Sequence, residues 1–142
     1  MMTMPASSLR LHHVGFVVPN VAAGAAELAR SLGATWDGAI YHDPHQAVKV
    51  TFIATIPGDS LIELVEPASA DSPVARFLRE NGGGFHHVCY VAADLEKQMA
   101  DMKARGALIV RRPKPAVAFQ GRRIAWMLAS KKFLVEFLEQ AR

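Results

Sequence analysis

The feature that most constrains this chain is that it contains itself twice. The segment LHHVGFVVPNV at 11–21 aligns with FHHVCYVAADL at 85–95, an offset of 74. LARSLGA at 28–34 aligns with MKARGA at 102–107, with one residue lost, and LIELVEP at 61–67 aligns with LVEFLEQ at 134–140, an offset of 73. A period this long is not that of a solenoid; it marks one supersecondary unit used twice.

Each copy predicts the same order of elements. Residues 11–18 read as a strand that ends at Pro19, and Asn20 offers a helix N-cap. Val21, Ala25, Leu28 and Leu32 then recur on one helical face, and Gly33 stops the helix. Strands are expected near 36–41, 47–56 and 60–66, with a turn at Pro57-Gly58-Asp59. In the second copy a strand at 86–92 leads to Asp94, which caps a helix carrying Leu95, Met99 and Met102, ended by Gly106. Strands near 107–111, 122–129 and 133–139 complete it. The copies are thus two βαβββ modules, 10–67 and 85–140, joined by a connector over 68–84. In the connector, Ser72-Pro73 opens a short helix with Val74, Phe77 and Leu78 facing inward, and Gly82-Gly83-Gly84 permits a sharp re-entry. No flexible linker separates the modules, so an α+β fold with one shared core is expected.

The rest of the composition sets limits. At 142 residues, 51% hydrophobic and 20% charged, the chain is of one-domain size and globular composition. No apolar run is long enough for a membrane span. The opening MMTMPASSLR lacks the basic and apolar stretches of a signal peptide. Cys89 is the only cysteine, which excludes an internal disulfide and a cysteine-built zinc site, and a reducing, cytoplasmic setting is expected. The net charge is +3, but the window 111–123 holds Arg111, Arg112, Lys114, Arg122 and Arg123 and no acid. This patch suits an anionic substrate or a phosphate, and it equally suits a solvated loop. Nucleic acid is not expected as a partner, since a broader basic face with interleaved aromatics is missing.

Strand alternation then singles out four residues. His13 and His87 open the first strand of each copy, and Glu63 and Glu136 stand inside the apolar last strands. Taken singly, each has an ordinary explanation as a packed histidine or a solvent-facing glutamate. Their paired recurrence points elsewhere: folded about a pseudo-twofold axis, the four can converge. Two imidazoles and two carboxylates suit a divalent Co, Ni, Zn, Mn or Fe ion with positions left for water or substrate. His12 and His86 also recur, but alternation turns them to the opposite face, where they read as packing residues.

The pattern resembles the vicinal oxygen chelate superfamily, which includes glyoxalase I, extradiol dioxygenases and bleomycin-resistance proteins. Within it, the sequence is most similar to the methylmalonyl-CoA epimerase family. The matching segments are His12-His13-Val14-Gly15, Gln46-Ala47-Val48-Lys49-Val50, Ile62-Glu63-Leu64-Val65-Glu66-Pro67, Asp71-Ser72-Pro73, Gly84-Phe85-His86-His87-Val88 and Leu134-Val135-Glu136. The resemblance implies a cupped mixed sheet of glyoxalase type around a divalent metal, with His13, Glu63, His87 and Glu136 on the ligand positions, and it implies homodimers. It further implies that a ligating glutamate serves as the base, here Glu136 with Glu63 as its symmetric counterpart.

The expected activity is that of a metal-dependent epimerase or isomerase that removes a proton beside a metal-bound carbonyl, with a small anionic molecule or a CoA thioester as substrate. Gln46, Arg111, Lys114, Arg122 and Arg123 are candidates for contacting that substrate; for Gln46 an ordinary exposed strand-end role is the alternative. Three other activities stay open. A glyoxalase I-type lyase is favoured by Glu63. A ring-cleaving dioxygenase would leave Glu63 as a surplus ligand. A non-catalytic binder of the bleomycin-resistance type would not need four ligands.

Overall fold

The backbone of the computed structural model, which describes residues 9–142, realises the repeat as one continuous sheet. The segment over which a signal peptide was not expected lies largely outside the described residues. In the first half, β1 (Arg10–Val17), α1 (Val21–Leu32), β2 (Tyr41–Asp43), β3 (Val48–Ile53) and β4 (Leu61–Pro67) follow in order. After α2 (Ala75–Asn81) come β5 (Gly84–Ala92), α3 (Leu95–Ala104), β6 (Leu108–Pro115), β7 (Arg123–Ala129) and β8 (Phe133–Glu139). The eight strands lie in the order β2-β3-β4-β1-β5-β8-β7-β6. β1 runs parallel to β4, β5 runs parallel to β8, and the halves meet at the antiparallel β1–β5 pair. This is the expected α+β architecture, a curled mixed sheet built from two βαβββ units.

Local chemistry sets the helix ends. The Asn20 side chain accepts from the Ala23 N–H, and the Asp94 side chain accepts from the Lys97 N–H. Gly33 closes α1 in the left-handed region at φ 65°. Val21 and Ala25 of α1 pack with Ile53 and Leu64, and Leu95 and Met99 of α3 pack with Met127, Val135 and Phe137. Both long helices therefore cover one face of the sheet. The other face carries Val17, Val48, Val50 and Val65 in one half and Cys89, Val91, Ile124 and Leu138 in the other. Among the described residues no helix is long and apolar enough to cross a membrane.

Three expectations need correction. The strand placed near 36–41 begins only at Tyr41. Side-chain bonds take over upstream of it: Trp36 Nε1 donates to Thr51 Oγ1 at 2.7 Å, and Thr51 Oγ1 donates to the Ala39 carbonyl at 2.6 Å. The neighbouring strand is shorter than 47–56, ending at Ile53. The third correction concerns β6, which does not stop at 111 but continues to Pro115. It is an edge strand, where proline's missing N–H is tolerated. A 3₁₀ turn at Val117–Phe119 follows and carries Phe119 into the core.

Candidate metal centre

The register of the central strands builds the site row by row. Across the sheet, Glu63 lies beside Gly15, and Gly15 lies beside His87. On the adjoining row His13 lies beside Cys89, and Cys89 lies beside Glu136. Each row thus sets one histidine and one glutamate on either side of a small residue. A Cβ on Gly15 would stand 2.1 Å from Cε1 of His87, so only glycine admits that ring. The pseudo-twofold axis passes through the Val14–Val88 pair.

Four side chains converge as a result. Nε2 of His13 and Nε2 of His87 are 3.2 Å apart. Glu136 Oε1 is 3.0 Å from His13 Nε2 and 3.4 Å from His87 Nε2. Glu63 Oε1 is 3.5 Å from His13 Nε2 and 3.2 Å from His87 Nε2. All four residues are buried. Donors bound about 2.0–2.2 Å from one shared ion stand about 3–3.5 Å from each other, and the observed separations match that spacing. Glu136 Oε1 is buried without a hydrogen-bond partner, despite its nearness to two imidazoles. The donor set therefore fits a metal ion.

The charge balance of the site accommodates a metal. Burial opposes the ionised form of both glutamates, yet His13 and His87 hold both carboxyls below their ordinary range. Burial likewise opposes protonation of His13 and His87, but the Glu63 and Glu136 carboxylates raise both imidazoles above 6.5. Two buried carboxylates thus demand two positive charges. Two imidazolium protons supply them, and so does one divalent cation between neutral imidazoles. Burial, reinforced by the Glu136 charge, pushes the Cys89 thiol up, so it stays neutral between its neighbours.

His12 and His86 do not face away, as simple alternation predicts. The β1–β5 register shifts between Leu11 and His13 and again between Gly15 and Phe16. The first shift leaves His12 as an extra residue on β1, and the second leaves His86 as an extra residue on β5. These bulges turn both rings back toward the site. Nδ1 of His12 lies 2.8 Å from Nδ1 of His13, and Nδ1 of His86 lies 2.9 Å from Nδ1 of His87. Burial first, then the neighbouring ring, lowers both outer histidines to about 4, which keeps them neutral.

A cavity of about 270 Å³ opens above Glu63, His87 and Glu136. Val50, Val65, Val74 and Ala118 give it apolar walls, and Phe119 and Trp126 close its second half. Phe119 stacks on His13 at 6.0 Å, and Trp126 meets the edge of His87 at 4.7 Å. Neither aromatic was singled out from the sequence, because nothing local shows that the 3₁₀ turn folds Phe119 inward. Gln46 lines the cavity, held by Asp43 at 3.1 Å and accepting from Trp126 Nε1 at 3.2 Å. Arg111 lines it too, and Arg111, Arg112 and Lys114 continue into an adjoining cleft. Arg122 and Arg123 are not among the lining residues. Arg122 donates to the Glu139 carbonyl, and Arg123 pairs with Glu139 and with Glu96 of α3.

A cupped sheet of two βαβββ units around a two-histidine, two-carboxylate centre defines a class. The chain belongs to the glyoxalase/bleomycin resistance protein/dioxygenase superfamily, whose family model matches residues 12–126. Relatives within that superfamily include methylmalonyl-CoA epimerases. An ethylmalonyl-CoA/methylmalonyl-CoA epimerase of Cereibacter sphaeroides is 36% identical over 119 residues, covering 83% of this chain and 87% of the relative. The human mitochondrial methylmalonyl-CoA epimerase is 35% identical over 97 residues, 68% of this chain and 53% of that protein, so the match spans about half of the human relative. The crystal structure of methylmalonyl-CoA epimerase from Mycobacterium tuberculosis shares the fold, with a TM-score of 0.86 at 21% identity over 99% of this chain and 94% of that one.

Proposed function

We propose that the protein is a metal-dependent epimerase that inverts the carbon next to the thioester carbonyl of a branched acyl-CoA, of the kind named for its epimerase relatives. The observation that carries this reading is the convergence of His13, Glu63, His87 and Glu136, the last three of which line an apolar-walled cavity. These four residues would hold the metal, a divalent Co, Ni, Zn, Mn or Fe ion. Bound there, the ion supplies a Lewis acid that polarises a substrate carbonyl and acidifies the neighbouring C–H.

The chain's own groups do the rest. Glu136 takes the proton from the substrate carbon, and Glu63, its symmetric counterpart, is placed to return one. Val50, Val65, Val74 and Ala118 hold the acyl branch and exclude water. Gln46, fixed by Asp43 and Trp126, offers an amide to the substrate. Arg111 and Lys114 meet the anionic end of the substrate at the mouth of the cavity, while Arg122 and Arg123 brace β7 against β8 and α3. The single buried Cys89 supports a reducing, cytoplasmic setting. Edge strand β6, with Leu108 and Val110 exposed, supports pairing of two copies.

The test is hydrogen exchange in D₂O with metal-loaded protein. Methylmalonyl-CoA and ethylmalonyl-CoA should gain deuterium at the carbon between the two carbonyl groups, and both epimers should appear. Conversion of a hemithioacetal instead, or no exchange on any acyl-CoA, would replace this reading with the lyase or the binder.

A further inference from the structure

The two bulged histidines form a device that the metal centre alone does not explain. His12 and His86 stand at equivalent positions of the two halves, 74 residues apart, each in the residue before a metal-facing histidine. Both are extra residues in the β1–β5 ladder. Both set Nδ1 against the Nδ1 of the following ring, at 2.8 and 2.9 Å. One of the two nitrogens in each contact must carry the proton and the other must accept it.

Which one donates follows from the other end of each ring. Nε2 of His13 and Nε2 of His87 face each other and the two carboxylates at 3.0–3.5 Å. A ring that binds a metal through Nε2 must carry its proton on Nδ1. His13 and His87 are then the donors, and His12 and His86 accept. The rings of His12 and His86 are themselves wedged in place. His12 meets the edge of Phe119 at 5.3 Å, and His86 meets the edge of Phe77 at 5.0 Å.

We infer that His12 and His86 are paired positioning residues: each accepts the Nδ1 proton of the adjacent ligand histidine, and so fixes the tautomer and ring angle that aim both Nε2 lone pairs at the metal. Such partners of metal-bound histidines are usually carboxylates or backbone carbonyls; here a neutral imidazole takes the place, twice. The bulges make this possible, because without them neighbouring rings on a strand would lie on opposite faces.

The inference rests on the metal-site reading, and the experiment separates the two. Co²⁺ affinity and the Co²⁺ absorption spectrum are measured for the whole protein and for His12→Phe, His12→Asn, His86→Phe, His86→Asn and His87→Ala. Phenylalanine keeps the ring packing and removes the acceptor; asparagine places an oxygen near the position of Nδ1. The phenylalanine variants should bind about 10–100-fold more weakly with shifted spectra. The asparagine variants should recover most of that loss. Phenylalanine variants that bind as tightly as the unaltered protein overturn the inference, as do phenylalanine and asparagine variants that lose equally. Failure of the unaltered protein to bind, or an unaffected His87→Ala, overturns the metal-site reading itself. A second measurement needs no metal: a nitrogen–nitrogen coupling across the Nδ1–Nδ1 bonds of His12–His13 and His86–His87 should be seen by NMR, and its absence refutes the pairing.

Discussion

Gly15 faces His87 directly across the central ladder, and the imidazole occupies the space that any side chain at position 15 would claim. The glycine is needed for closeness and not for backbone freedom. Gly15→Ala should therefore push the His87 ring out of the site. We expect metal affinity to fall at least ten-fold, with a lowered thermal midpoint even in chelator. Calorimetry and thermal unfolding of the variant check this; unchanged affinity would mean that the ring relocates without loss of the centre.

Glu136→Gln keeps an oxygen donor and removes the proton acceptor. Loss of a positioned base commonly costs about 10²–10⁴ in rate. We expect a loss in that range in deuterium exchange, with retained, weaker metal binding. Glu63→Gln in parallel reports whether the second carboxylate returns the proton: equal losses mean that both glutamates move protons, and a mild loss leaves Glu63 as a ligand only.

The metal-free protein should have a pronounced pH profile. His13 and His87 are raised above 6.5 in the folded state. Their stabilisation is complete below pH 6.5 and is lost as pH rises through the raised folded values. Glu63 and Glu136 are lowered below 4.5, so their stabilisation is present above pH 4.5 and is lost as pH falls. His12 and His86, lowered to about 4, are protonated only in the unfolded chain between pH 4 and 6.5, so denaturant midpoints in chelator should rise toward pH 6.5 and decline on the alkaline side. A divalent ion should remove that decline. A metal-free midpoint that climbs from pH 6.5 to 9 would contradict this assignment of charge.

Arg111 lines the cavity and leads into the cleft shared with Arg112 and Lys114. Arg111→Ser and Lys114→Ser should raise KM for an acyl-CoA several-fold with kcat little changed, and the effect should shrink at high salt. Arg123→Ser should leave KM alone, because its partners are Glu96 and Glu139. Steady-state kinetics at two ionic strengths distinguish these cases.

The repeat made the architecture legible, because HHV and LxE motifs at a near-constant offset leave few ways to arrange eight strands. Strict alternation, taken with the paired recurrence, then pointed to a convergence of His13, Glu63, His87 and Glu136, and the structure brings these four together. The same rule misplaced His12 and His86, because a bulge adds a residue to one strand only and leaves no mark in a single sequence. Asp43, Phe119 and Trp126 were invisible for another reason. Their roles depend on contacts between segments far apart in the chain, such as Trp126 with Gln46. The basic window looked uniform in sequence, yet Arg111 lines the cavity and Lys114 the adjoining cleft, while Arg122 and Arg123 are taken up by Glu139 and Glu96.

The ladder between β1 and β5 carries one last consequence. Neither half of the chain owns a complete set of donors, since His13 and Glu63 come from one and His87 and Glu136 from the other. A slip of two residues along that ladder would preserve every hydrophobic face and yet shift the rows that join His13 to Glu136 and Glu63 to His87 by about 7 Å. The centre would therefore act as a gauge of alignment: the four donors meet only when the two halves are docked in a single register, and an ion held by all four side chains would lock that register in place.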